Sequence, residues 1–539
     1  MSARFFNTAW PVKCDIHYCL PPLERLDLPE VLRLIDQQKY FMLHAPRQTG
    51  KTSCLLALRD YLNERDQYRS VYVNVEVGQA ARENVDDAMR AILSALGSWA
   101  RISLGDVFVH SIWPEVLTRS GGNAALGEVL SRWAEHSPQP LVLFVDEIDA
   151  LVGDTLISVL RQLRAGYASR PTHFPQTVIL CGVRDVRDYR IHSDRDKAII
   201  TGGSAFNIKA ESLRLGDFDY RETMALLQQH TDETGQIFEP QALELIWELT
   251  NGQPWLVNAV AYETCFKMKA GRDRTLPITS AMVTEAKENL IMRRETHLDQ
   301  LADKLKEERV RRVIQLLLMG SDAPGILPED DLQYVADLGL IRRKPSVMIA
   351  NPIYREIIPR ALSSVAQDTI VQEPAWYVRP DGQLDLSKLL TAFQQFFREN
   401  SEAWLERFDY KEAGPQLLLQ AFLQRIVNSG GRVEREYGLG LRRTDLLIIW
   451  KVEDGSRKGD EREPQSVIQR AVIELKILRG SRERTIAEGL PQTWQYADRC
   501  GAKEAHLVIF DRTPGKTWEE KLFRQEETYR ERSITVWGM

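Results

Sequence analysis

Four short apolar runs, each separated from the next by helical periodicity, limit what the first 205 or so residues can become. They are YFMLHA from Tyr40, SVYVNVEV from Ser70, PLVLFVDE from Pro140 and QTVILCGV from Gln176. Each is β-branched or apolar through most of its length, as strands buried on both faces of a parallel sheet must be. Between them lie stretches such as TSCLLALRDYLNE and DTLISVLRQLRAGY, with apolar residues at helical spacing. Strands alternating with helices predict an α/β layered domain with a parallel sheet, over residues 1–205.

The first run leads into Ala45-Pro46-Arg47-Gln48-Thr49-Gly50-Lys51-Thr52-Ser53, and a predicted helix follows. A strand, a loop with Gly-Lys-Thr and then a helix is the context a phosphate-binding loop requires. Backbone N–H groups of the loop and of the helix N-terminus would face phosphates. Lys51 would neutralise the outer phosphate oxygens, and Thr52 would coordinate Mg²⁺. Ala45 stands where a first glycine is usual, which is tolerable if that position does not need positive φ. The third run ends in Asp146 and Glu147. Asp146 is expected to hold Mg²⁺ through water, and Glu147 to orient or deprotonate the attacking water. Helical sequence and the SVYVNVEV run lie between the two motifs, so an additional strand is expected there. Arg184, after the fourth run, is a candidate γ-phosphate contact; capping of the strand by a surface arginine is the competing explanation.

The chain has 539 residues, enough for three or four domains, and 43% hydrophobic with 27% charged residues suits folded protein. A formal net charge of −6 argues against a wholly basic nucleic-acid coat but leaves room for a local basic groove. No apolar run approaches the roughly 20 residues of a membrane-spanning helix, and MSARFFNTAWPVKCD lacks a signal-like apolar core. Cys14, Cys19, Cys54, Cys181, Cys265 and Cys500 form no CxxC pair, so reduced thiols in a cytoplasmic protein without membrane attachment are expected.

From 206 to 298 the pattern turns helical and predicts a compact lid; within it Gly252-Gln253-Pro254 forms a turn that would press Pro254 against the adenine. Over 299–365, EERVRRVIQLLLMG, then DDLQYVADLGLIRRK ending its helix at Gly339, then SVMIANPIYREIIPR give the helix–helix–hairpin order of a winged helix. Residues 366–385 are expected to be linker. Over 386–539, two helices and four strands predict a separate α/β domain, with DGSRKGDEREPQ as a polar hairpin tip.

Phosphate loop, acidic strand end, sensor arginine, helical region with a GxP turn and winged helix together resemble the signal-transduction ATPases with numerous domains, the STAND group of additional-strand P-loop ATPases. The resemblance spans roughly residues 20–360 by organisation and is specific only at the short motifs. It implies ATP and Mg²⁺ as ligands, a switch between nucleotide states, and homo-oligomerisation. The repeat array usual after the winged helix is absent, so a sensor or partner protein would replace it. Arg293 and Arg294 are the best remaining basic pair for a contact in trans, and a solvated helix face explains them equally well.

In the C-terminal domain, Asp445 opens an apolar strand, and Glu474 and Lys476 lie two apart on the next strand, hence on one face. Gln492 and Tyr496, four apart, share a face of a predicted helix. Two carboxylates on adjacent strands would hold Mg²⁺ or Mn²⁺, and Lys476 would position water and neutralise charge on a phosphodiester. This D…ExK arrangement resembles the PD-(D/E)xK nuclease superfamily, and the Gln492–Tyr496 spacing its RecB-type members with a QxxxY motif, over about residues 386–515. Thr444 replaces the usual proline, and Gln416 and Gln420 stand where the family has a helix acid; Glu436 is a possible substitute. Arg432, Arg435, Arg442, Arg443, Arg479, Arg482 and Arg484 flank the motif as candidate phosphate contacts. Arg342, Arg343 and Lys344 offer a second DNA-binding face on the winged helix, although a hinge role for that module carries more weight.

The combined expectation is an α/β multidomain protein: a P-loop ATPase, a helical lid, a winged helix and a restriction-endonuclease-like domain. ATP would control a metal-dependent nuclease acting on nucleic acid, DNA above all, in a role that family analogy alone assigns to antiviral defence. Two alternatives stand beside it. One is a non-cleaving, ATP-switched DNA-binding regulator; the other is a DNA-translocating motor.

Overall fold

The computed structural model describes residues 4–185, 190–193, 198–201, 207–293, 303–318, 327–358, 377–407, 414–427, 431–436, 445–452, 467–478, 480–513 and 515–539. They form two compact units, residues 1–293 with 336–339, and residues 294–335 with 340–539.

The core of the first unit is a five-stranded parallel sheet. Its strands are β3 (Tyr40–His44), β4 (Arg69–Asn74), β5 (Leu141–Asp146), β6 (Thr177–Gly182) and β9 (Lys209–Arg214), in spatial order β4-β5-β6-β3-β9. Period-two alternation divides the side chains between two cores. Tyr40, Met42, Val71 and Val73 join the cluster that contains Trp133; Phe41, Leu43, Tyr72 and Phe144 join the one beneath Leu55 and Leu58. Helix α1 (Leu28–Asp36) and helix α2 (Lys51–Glu64) cover the second face; α3 (Val85–Leu104), α4 (Phe108–Ser120), α5 (Gly122–His136) and α6 (Gly153–Ala165) cover the first. The phosphate-loop strand β3 and the acidic strand β5 are not neighbours, because β6 lies between them.

Three expectations need correction here. The Ser70 run stops being a strand at Asn74, whose side chain accepts the Glu76 N–H at 2.8 Å and turns residues 75–81 into a 3-10 segment. The sheet also continues past residue 205, since β9 pairs with β3. Its sequence KAESLR is largely polar, with exposed and half-buried residues in equal number, as an edge strand can be, so no apolar run announced it. Finally, Cys14 and Cys19 are joined by a disulfide, whereas Cys54, Cys181, Cys265 and Cys500 are free thiols. Between the sheet strands lies a hairpin, β7 (Arg190–Ser193) with β8 (Ala198–Thr201).

After β9 the chain is helical: α7 (Tyr220–Thr234), α8 (Pro240–Thr250), α9 (Pro254–Tyr262) and α10 (Ser280–Arg293). Asp219 and Glu222 close a capping box on α7, and Gly235 ends it at φ +74°. The N-terminal pair β1 (Phe5–Phe6) and β2 (His17–Tyr18) lies against this region: Gln229 exchanges hydrogen bonds with both backbone groups of Cys19, and Trp255 Nε1 donates to Thr8 O.

Next along the chain come α11 (Glu308–Leu318), α12 (Glu329–Asp337), the hairpin β10 (Ile341–Arg342) with β11 (Met348–Ile349) and a helix over 352–358; Gly339 lies at φ +77°. Most of the expected linker and the DGSRKGDEREPQ tip lie outside the described residues. Helices α13 (Leu386–Arg407) and α14 (Gly414–Val427) precede a six-stranded mixed sheet in the order β12-β13-β14-β15-β17-β16. These strands are β12 (Gly431–Glu436), β13 (Asp445–Val452), β14 (Val467–Ile477), β15 (Glu504–Phe510), β16 (Phe523–Tyr529) and β17 (Arg532–Gly538). The sequence did not announce the terminal hairpin β16–β17, whose first strand alternates between half-buried and exposed residues. Helix α15 (Arg482–Cys500) packs across β14 and β15 through Ile486, Tyr496 and Ala497. Among the described residues no helix is long and apolar enough to cross a membrane.

Candidate nucleotide and metal sites

The phosphate loop turns sharply between β3 and α2. Gln48 sits at φ +59° and Gly50 at φ +97°, so the chain enters α2 through the left-handed region, where glycine costs least. Thr49 is fully buried and its Oγ1 donates to Pro46 O at 2.9 Å, whereas Arg47 and Gln48 are exposed. Lys51 is buried at 6% exposure, and its Nζ donates to the carbonyls of Ala45 and Pro46 at 2.9 Å each. The ammonium is thereby held over the mouth of the loop. Ser53 Oγ accepts the Val12 N–H at 3.0 Å, which fastens the N-terminal segment to the first turn of α2.

Asp146, at the end of β5, has no exposed surface and gathers donors on both oxygens. Thr52 Oγ1 reaches its Oδ2 at 2.8 Å, Tyr72 OH the same oxygen at 2.9 Å, and the Glu147 N–H its Oδ1 at 2.9 Å. A threonine hydroxyl and a carboxylate this close are the hard oxygen pair that Mg²⁺ prefers, so the residues present fit the ion. Glu147 follows at φ +55°, turned away from the strand direction. Burial, then the charges of Asp146 and Asp149, raise its pKa, against the pull of Lys51 and Arg47. Arg184 is half-buried two residues beyond β6. Pro254 is buried at the first turn of α9, and Asn258 joins it to the N-terminal segment: Asn258 Nδ2 donates to Pro254 O, and Asn258 Oδ1 accepts the Asn7 N–H.

Two residues of this site were not anticipated. Tyr72 reads as an ordinary strand aromatic until the register pairs Asn74 with Asp146 and puts Tyr72 two residues back on the same strand. Arg25 lies in a short 3-10 turn that no motif marks; its guanidinium donates to Thr49 O and Gly216 O. Arg293, a candidate contact in trans, has a partner of its own in this unit. It is bound within the chain to the buried carboxylate of Glu263, at 2.6 and 2.9 Å, whereas Arg294 lies outside the described residues.

In the second unit the antiparallel register pairs Asp445 with Glu474 and, on the other side, with Glu436. The side chains of Asp445 and Glu436 lie outside the described residues. Glu474 is fully buried, and Lys476 Nζ stands 2.8 Å from its Oε1 while donating to Gln492 Oε1 from α15. Tyr496 is buried one helical turn further along α15. The strand–helix packing therefore brings Glu474, Lys476 and Gln492 together. A buried carboxylate beside a lysine fits a divalent ion's oxygen ligand, although no three His, Cys, Asp or Glu side chains among the described residues gather as a metal site. Gln416 and Gln420 are both buried on α14, at the positions where an acid was sought. Arg432 and Arg435 lie in β12; Arg442, Arg443 and Arg479 are outside the described residues. Arg482 stacks 4.0 Å over the Phe523 ring and Arg484 pairs with Glu488 at 2.9 Å, so both have partners within the fold. Arg343 likewise pairs with Glu329 and Gln333.

The family comparison agrees with the first site. Residues 34–189 match the family model described as an AAA domain. No curated protein matches the chain. Among solved structures, a Walker-type ATPase of Pyrococcus abyssi is similar over 65% of this chain and 98% of its own, at 16% identity and TM-score 0.42. The Thermotoga maritima RuvB Holliday junction branch migration motor is similar over 62% and 93%, at 14% identity and TM-score 0.33. Drosophila ORC bound to DNA is similar over 67% and 87%, at 12% identity and TM-score 0.34. With a phosphate loop, a buried Lys51 and a Thr52–Asp146 pair at the strand ends of a parallel sheet, and the AAA domain match across them, this chain carries a P-loop ATPase.

Proposed function

We propose that this ATPase switches a metal-dependent nuclease carried in residues 386–539. At the first site Lys51 and the loop amides bind the triphosphate, and Thr52 and Asp146 hold Mg²⁺, with Tyr72 fixing the carboxylate. Glu147, its basicity raised by burial and neighbouring acids, orients the attacking water. Arg184 contacts the γ-phosphate, and Pro254 borders the base. Residues 206–298 act as the lid and 299–365 as a winged-helix hinge.

The observation that carries the nuclease reading is the cluster of Glu474, Lys476 and Gln492, with Asp445 paired to Glu474 by strand register. A divalent ion bound there would activate water and stabilise the phosphodiester oxyanion. Asp445 and Glu474 would be its ligands, Lys476 would position the water and take up developing charge, and Gln492 and Tyr496 would orient Lys476. DNA is the substrate proposed, bound by a homo-oligomer. The buried Gln416 and Gln420 favour a second reading, in which the domain binds nucleic acid without cutting it.

Plasmid incubated with the purified protein, Mg²⁺ or Mn²⁺, and ATP separates the two. Wild type should nick or linearise the DNA, and Glu474→Gln and Lys476→Ala should each lose at least about a hundredfold in rate, as loss of a metal ligand or a charge-stabilising group does. Wild type that leaves DNA intact under every condition favours the binding protein. Cutting that survives both substitutions removes the site assignment.

A further inference from the structure

Arg25 has a place in the ATPase that no motif assigns. Its half-buried guanidinium donates to Thr49 O at 2.5 Å and to Gly216 O at 2.7 Å, and lies 4.6 Å over the Phe218 ring. The space it fills exists because residue 50 is glycine: a Cβ there would come within 2.7 Å of the Arg25 Nη1. Both partners are backbone carbonyls at consequential points. The Thr49–Gly50 peptide is planar and trans, so its carbonyl and its N–H point in opposite directions. Pulling Thr49 O to one side fixes the Gly50 N–H towards the other, the side from which loop amides meet a phosphate. Gly216 follows β9, where the Leu215 N–H is bonded to His44 O, and leads to Phe218. The Phe218 N–H donates to Gly252 O at 2.8 Å, at the turn that starts α9.

We infer that Arg25 is a positioning residue that fixes the Gly50 amide for the phosphates and ties nucleotide occupancy to the Gly216–Pro254 region. The chain of contacts is continuous: phosphate loop, guanidinium, Gly216, Phe218, then the Gly252–Pro254 turn. Only a planar fork can serve two carbonyls and stack on a ring at once; lysine offers a single point charge. The inference rests on the nucleotide site alone and does not depend on the nuclease reading.

Hydrogen exchange of the full chain, with and without a saturating non-hydrolysable ATP analogue, tests it together with the analogue's Kd. In wild type the analogue should slow exchange over 216–254. Arg25→Ala should weaken binding by about tenfold, the usual loss with a charge-assisted hydrogen bond, and abolish that protection at saturation. Arg25→Lys should recover part of the affinity but not the protection. Phe218→Leu, which removes only the ring under the guanidinium, should lower both modestly and serves if Arg25→Ala does not fold. Full protection and a Kd within twofold of wild type in Arg25→Lys overturn the inference, as does a loss of thermal stability in Arg25→Ala with nucleotide binding unchanged. Wild type that fails to bind the analogue overturns both this role and the ATPase site.

Discussion

His44, the last residue of β3, shows how the nucleotide site constrains a group outside its motif. Burial, helped by the positive charges of Arg214, Lys209 and Lys51 and opposed by Asp185, lowers its pKa from 6.5 to about 4. The folded protein therefore keeps His44 neutral where the unfolded chain would protonate it. Its contribution to stability is intact above about pH 6.5 and declines as pH falls towards 4. Urea unfolding at pH 7 and pH 5 should show wild type losing about 2 kcal/mol more than His44→Gln, from 1.36 kcal/mol per pH unit. Equal losses in the two proteins would assign the acid sensitivity elsewhere. At this scale the sequence was readable wherever chemistry compels a fixed spacing. Lys51 and Thr52 are adjacent as a phosphate-binding loop requires, where one helix turn serves both phosphate and metal, and Asp146 announces itself as the acid ending an apolar strand. Tyr72 and Arg25 were not readable, because each reaches its partner across the fold and no local pattern distinguishes it.

Among the elements, the turn between α8 and α9 is tightly specified. Asn251 and Gly252 both have positive φ, and the Gln253 side chain caps α9 by accepting the Leu256 N–H at 2.6 Å. A Cβ at Gly252 would stand 1.9 Å from Phe218 O, a backbone atom that cannot move alone. Gly235, which ends α7 at φ +74°, has open space around it. Gly235→Ala should therefore cost only the left-handed penalty, about 1 kcal/mol, and Gly252→Ala at least about twice that, read from urea midpoints. Equal costs would mean that the Phe218–Gly252 approach relaxes freely. Gly252-Gln253-Pro254 stood out in the sequence, but its steric reason needed the fold. The same holds for β13 and β14: alternation placed Glu474 and Lys476 on one face, whereas only register could pair Asp445 with Glu474. Strands β9 and β16 escaped notice because polar, half-exposed edges lack the apolar signature that marked the central strands.

For the whole molecule, the proposed switch demands more than the presence of two sites in one chain. A ligand stabilises only the states it binds, by RT ln(1 + [L]/Kd), which is about 2.7 kcal/mol at a hundredfold excess over Kd. Two compact units predict two thermal transitions, and Mg·ATP must raise the one that holds Lys51 and Asp146, by on the order of 5 °C for a unit of this size. Lys51→Ala should abolish that rise, since its ammonium is the charge held against the loop by the carbonyls of Ala45 and Pro46. Regulation asks for a second effect, because a conformational change requires differential binding free energy between the states it connects. If nucleotide state controls the C-terminal unit, Mg·ATP must also move the other transition, the one that Glu474→Gln shifts, and Lys51→Ala must hold it still. A second transition that stays within about a degree at every nucleotide concentration would leave an ATPase and a C-terminal unit in one chain with no thermodynamic link between them, and the proposed switch would have to be abandoned even if both proposed activities were measured.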